Sequence, residues 1–140
     1  MSILLDDSRW PLLGIRLEGP ISDPEFEVYL EGLGACLRRG PLFALIDVRD
    51  YGTPTTFQRQ RQVVWLGEHE ELMRERFLAA AFMVTSPFVW VTLNLVFHAR
   101  PLACPYVIVP EPDLARRWMA DHLERVGQAE LAASVRAFSS

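Results

Sequence analysis

The chain has 140 residues, half of them hydrophobic and 23% charged, with a net charge of −4 from 14 cations against 18 anions. That balance predicts a single domain, residues 1–140, able to bury a core without disulfide or metal staples, and it excludes collagen-like, disordered and disulfide-scaffold classes. Every cation is Arg, which removes a P-loop lysine, a Schiff-base lysine and a Ser–Lys dyad, and no basic stripe recommends nucleic acid as a partner.

Ile3-Leu4-Leu5 predicts a short strand, Asp6-Asp7-Ser8 a turn, and Trp10 to Leu17 a second strand, together a hairpin. Gly19-Pro20 ends it. Ser22 and Glu25 have capping-box spacing, and Phe26, Tyr29, Leu30, Leu33 and Leu37 follow at helical intervals until Gly40-Pro41. Leu42 to Val48 is a continuous apolar run interrupted only by Asp47, as in a strand covered on both faces. Thr53-Pro54 is expected to cap a second helix running to about Arg76, with Phe57, Val64, Trp65 and Leu72 as its apolar stripe and Gln58 to Gln62 as its solvated face.

Phe77 to Val84 predicts a further buried strand. Ser86-Pro87 caps a third helix, Phe88 to about Ala99. Tyr106 to Val109 predicts the last strand. A fourth helix starts at Pro110 to Asp113, with Leu114, Trp118 and Leu123 inward, and Gly127 breaks it. Gln128 to Phe138 is expected as a short terminal helix or tail. The expected fold is α/β: one mixed sheet, an N-terminal hairpin followed by mostly parallel β-α repeats, packed with four or five helices. In such a sheet, function gathers at the C-terminal strand ends, here at the loops 49–56, 85–87 and 110–112.

The pattern resembles the SpoIIAA-like group of the STAS superfamily. The resemblance rests on the opening hairpin, on Gly19-Pro-Ile-Ser-Asp-Pro-Glu-Phe before the first long helix, and on the strand closing at Leu45-Ile46-Asp47. It rests also on the last strand with a helix holding Ala115-Arg-Arg-Trp118. It implies a small α/β domain that binds or regulates rather than catalyses. STAS regulators carry their phosphorylated residue in an Asp-Ser-Ser/Thr-Gly motif. The comparable loop here reads Asp47-Val-Arg-Asp-Tyr-Gly-Thr-Pro-Thr-Thr and lacks that motif. Related domains are linked to lipid-carrier-like folds, which brings an apolar ligand into consideration.

Two regions carry the candidate residues. In the first, Asp47, Arg49, Asp50, Tyr51, Thr53, Thr55 and Thr56 place charge and hydroxyls at a helix start, where a partner or a phosphorylated group is favoured. Ordinary capping and loop hydrogen bonding is the competing reading. In the second, Phe88, Trp90, Val91, Leu95 and Phe97, with His98 at the helix end, leave almost no polar face. Three such side chains left in water forfeit roughly 4.5–9 kcal/mol at about 1.5–3 kcal/mol each. The cover is therefore neighbouring helices, a second copy of the chain, another protein, an apolar small molecule or a membrane surface.

The leading expectation is a non-enzymatic regulatory or interaction domain acting through loop 49–56 and helix 88–97, as a homodimer or docked to another protein. The alternative is a carrier or sensor of a lipid-like or other apolar molecule, with Trp118 joining Phe88, Trp90 and Phe97 around a cavity. A small enzyme using Asp47, Asp50 and His98 is the third reading. His69 and His122 read as solvated. No motif calls for a cofactor or a metal. The N-terminus has no signal-peptide pattern, no apolar run reaches membrane-span length, and Cys36 and Cys104 read as reduced thiols, so a cytoplasmic location is expected.

Overall fold

The structure, a computed structural model, describes residues 2–137. Phe138, the expected end of the last helix, lies outside the described residues. Five strands form one sheet in the order β1-β2-β3-β4-β5: β1 (Ser2–Arg9), β2 (Leu12–Glu18), β3 (Leu42–Asp47), β4 (Phe77–Met83) and β5 (Tyr106–Val109). β1 and β2 are antiparallel, and all other pairs are parallel. The register aligns Arg16 with Asp47, Asp47 with Met83, and Met83 with Val109, so these residues mark the C-terminal edge of the sheet.

The hairpin turn is displaced from its expected place. Asp6-Asp7-Ser8 stays within β1, where the Ser8 N–H donates to Asp6 Oδ1 at 3.0 Å and the register shifts between Asp6 and Arg9. An irregularity of this kind absorbs turn-forming residues inside a strand. The reversal falls at Trp10-Pro11 instead.

Six helices surround the sheet, not four or five. α1 (Asp23–Arg39) has the expected capping box: Glu25 N donates to Ser22 Oγ at 3.2 Å, and Ser22 N to Glu25 Oε1 at 2.8 Å. The single helix expected after Thr53 is two, α2 (Thr56–Glu68) and α3 (Glu70–Arg76). The cap is Thr55, whose Oγ1 accepts from Gln58 N at 3.0 Å. The break falls at His69, whose ring stacks on Trp65 with centroids 4.1 Å apart and whose Nδ1 lies 2.8 Å from the Trp65 carbonyl oxygen. The His69 backbone N–H still donates to that same oxygen at 3.0 Å, but φ of −110° and ψ of 21° at His69 depart from helical values. α4 (Pro87–Ala99) follows, capped by Ser86, then α5 (Pro112–Arg125) and α6 (Ala129–Arg136). Gly127, at φ +83°, ends α5 in a conformation that favours glycine.

Alternate strand residues feed two separate cores. Leu42, Ala44, Ile46, Ala80 and Phe82 meet α1, α2 and α4 on one face. Phe43, Ala79, Ala81 and Met83 meet α5 and α6 on the other. Of the expected α2 stripe, Trp65 is buried, but Phe57 and Val64 are exposed. Conversely, Gln58, expected in solvent, is 1% exposed. On α5, Leu123 is buried, Trp118 half-buried and Leu114 exposed. His122 is buried rather than solvated, stacked on Trp118, and His69 is half-buried.

Candidate functional site

The first face of the sheet is not fully filled. A cavity of about 100 Å³ lies between it and α1, α2 and α4. Leu17, Ile46 and Phe82 form its floor, Leu33 and Leu66 its sides, and Val96 part of its roof. It opens between α2 and α4, where Arg59, Gln62 and Thr92 are half-buried. Phe97 closes one flank, packed on Phe82 and Tyr106 with centroids at 5.5 and 5.3 Å.

One end of the cavity carries polar groups. Gln58 Nε2 donates to the Ile21 carbonyl at 2.7 Å and to Asp23 Oδ1 at 3.1 Å, while its Oε1 accepts from the Tyr51 hydroxyl. Thr55 Oγ1 donates to the same Asp23 oxygen at 3.1 Å. The network ties the loop before α2 to the start of α1. Burial, with smaller contributions from Tyr29 and Asp23, raises the Tyr51 pKa and keeps that hydroxyl a donor.

Most of loop 49–56 is occupied with holding itself together. Asp47 Oδ1 accepts from the Arg49 backbone N–H at 3.1 Å and from Arg49 Nε at 3.0 Å, and its Oδ2 from Nη2 at 2.8 Å. Burial opposes the Asp47 charge, but these hydrogen bonds and the Arg49 and Arg16 charges outweigh it, leaving the pKa below its ordinary value. Gly52 N donates to the Gly19 carbonyl at 2.9 Å. A Cβ on Gly52 would stand 3.2 Å from Pro20 Cα, so the close approach favours glycine. Asp50, Thr53, Thr55 and Thr56 are exposed.

The two candidate regions therefore meet only in part. Tyr51 and Phe97 line the cavity; the other nominated residues do not. Asp47 faces the opposite side of the sheet, where Asp6, Arg9, Arg16 and Arg116 also border a second hollow of about 210 Å³. There Arg16 pairs with Glu18 at 2.7 Å, and Arg116 pairs with Asp113. Trp118 lies in the α5 core, so it does not join Phe97 around one cavity: the sheet separates them. Phe88, Trp90, Val91 and Leu95 are 66%, 52%, 49% and 47% exposed and point away from the cavity. Phe88, Val91 and Leu95, at i, i+3 and i+7, form one outward stripe. His98 is exposed near the far end of α4. At 1.5 Å per residue it is about 18 Å along the axis from Ser86. The Asp47–Asp50–His98 grouping is thereby split between opposite ends of the sheet.

Sequence reasoning missed Gln58, Tyr29 and Asp23 as site residues. It also missed a signal around α4: segment 85–110 contains no Asp or Glu, although the chain holds 18 acids. Among the described residues, no group of three or more His, Cys, Asp or Glu is placed to hold a metal ion, and no helix is long and apolar enough to cross a membrane. Cys36 and Cys104 are free, and burial pushes the Cys104 thiol up to about 11.

No family model matches the chain, and no curated protein matches it. Among solved structures, it is similar to an uncharacterised protein of the DUF3478 family with a SpoIIAA-like fold, from Shewanella loihica PV-4. The two share 15% identity and superpose with a TM-score of 0.59, over 84% of this chain and 91% of that one. At that identity the likeness speaks for the fold, and the fold of this chain is SpoIIAA-like.

Proposed function

We propose that this SpoIIAA-like domain is a non-catalytic carrier or sensor of an apolar small molecule, held between the sheet and α1, α2 and α4. The cavity carries this reading. Protein interiors are close-packed, and this apolar hollow of about 100 Å³, open between α2 and α4, leaves side-chain atoms of the sheet and of α4 without packing partners. A ligand restores those contacts. α4 then has two jobs on two faces: Val89, Leu93 and Val96 wall the cavity, while Phe88, Val91 and Leu95 meet whatever surface donates or receives the ligand. The absence of acids from segment 85–110 suits an apolar or anionic surface such as a membrane.

Native mass spectrometry of gently purified protein, beside the same sample denatured, tests this. The expected result is a monomer near 16.0 kDa carrying extra mass that denaturation removes. Leu93→Trp, which fills the cavity, should abolish the adduct.

The exposed stripe of α4 also favours a second reading, an interaction domain that self-associates or docks on another protein, with the exposed Asp50, Thr53 and Thr56 as its polar flank. A clean dimer without adduct, dissociated by Trp90→Glu or Val91→Glu, would favour it. A bare monomer indifferent to Leu93→Trp counts against the carrier.

A further inference from the structure

The cavity also restricts what it can hold, an inference that rests on the carrier reading. Its size sets one limit. On a scale where a water takes about 10–15 Å³, a cavity of about 100 Å³ has room for about eight water-sized groups, hence a ligand of about eight to ten heavy atoms. A two-chain lipid is far too large to be enclosed within it.

Its polar groups set the second limit. The Gln58 carboxamide uses both donors and its oxygen, and the Tyr51 hydroxyl is committed to that oxygen. Tyr29 differs. It lines the same cavity, is 8% exposed, and packs its ring on Phe26 at 5.6 Å, yet its hydroxyl makes no hydrogen bond among the described residues. The hydroxyl oxygen is not sealed off by protein, so it keeps contact with open space and is free to answer a ligand. Burial pushes its pKa up to about 12, so the group stays protonated and available to donate.

Charge sets the third limit. Among the described residues Arg59 is the one cation lining the cavity, and it stands at the half-exposed mouth. The carboxylate beside the polar end is Asp23, hydrogen-bonded to Gln58 and Thr55. An ionised head group pushed inward would meet no counter-charge there.

We propose that the ligand is a small, neutral, mostly apolar molecule with one hydrogen-bond acceptor, such as a ketone or ester carbonyl, which receives the Tyr29 hydroxyl. Acetophenone, benzoate and ethylbenzene test this by titration calorimetry at slightly alkaline pH. They share a ring and differ in the end group: neutral acceptor, anion, or none. Acetophenone should bind best, with benzoate at least about tenfold weaker, the shortfall of an anion buried without a partner. Tyr29→Phe should weaken acetophenone about 3- to 10-fold, the worth of one neutral hydrogen bond, and leave ethylbenzene unchanged. Because the hydroxyl has no protein partner, Tyr29→Phe should fold as the parent does, checked by its thermal unfolding.

Benzoate binding as tightly as acetophenone overturns the proposal, as does an equal effect of Tyr29→Phe on acetophenone and ethylbenzene. A two-chain phospholipid retained by the purified protein overturns the size limit. Ethylbenzene bound without preference for acetophenone removes this inference and spares the carrier reading. If none of the three binds and Leu93→Trp changes nothing in native mass spectra, both fall.

Discussion

Gln58 is the residue on which the polar end of the cavity depends. It joins the chain at Ile21, Asp23, Tyr51 and Thr55 while almost wholly buried. Gln58→Leu would strand the Ile21 carbonyl and the Tyr51 hydroxyl, and it should destabilise the fold by about 2–4 kcal/mol, measured by urea unfolding. Little of this is legible in sequence. Gln58 opens a polar stretch through Gln62 that fits a solvated helix face, and its deepest partner, Ile21, is 37 residues away. His122 escapes for a related reason: acids and arginines flank it along α5, yet its ring faces Phe43 and stacks on Trp118. Burial, with a lesser push from Arg125, holds its pKa below the ordinary 6.5. The unfolded chain then binds a proton at a higher pH than the folded one, so stability falls as pH drops through 6.5 toward the folded value. Thermal melts from about pH 7.5 to about pH 5.5 should decline more steeply for the parent than for His122→Phe.

Among the elements, α4 separates most cleanly into a packing face and an outward face. Val91→Ser with Leu95→Gln should leave urea unfolding within about 0.5 kcal/mol of the parent, because both side chains are about half exposed. The same pair should reduce binding of a hydrophobic fluorescent dye or of lipid vesicles. Ser86→Ala, by contrast, removes the cap that accepts from Val89 N at 3.4 Å and should cost about 0.5–2 kcal/mol. Sequence signals served best where the determinant is local. The capping box of α1, the Ser86 cap and the Gly127 stop follow from residues a few positions apart. The α2–α3 break is also local: Gly67 stands two residues before it, and His69 stacks back on Trp65 instead of continuing the helix.

At the scale of the whole molecule, the alternation of strands and helices was enough to read a mixed, mostly parallel sheet and the SpoIIAA-like architecture. Which helix covers which face was not legible. Trp118 resembles the aromatics of α4 in type, but the connection from β5 carries α5 to the opposite side. That side is packed on the fully buried Ala79 and Ala81, which let α5 approach closely. Ala81→Leu should overpack it by about 1–3 kcal/mol, read in urea unfolding, while leaving ligand uptake on the other face intact.

The separation of the two cores also predicts how the molecule breathes. The α5–α6 core shares no side chains with the cavity, and the hollow on its side of the sheet touches α5 at Arg116, whereas α2 and α4 rest on a partly empty floor. Deuterium should therefore enter the amides of α2 and α4 through local openings well below the global unfolding free energy, while those of β4 and α5 wait for global unfolding. A molecule seated in the cavity would slow exchange in the first group and leave the second unchanged, mapping its own position without any label attached to it.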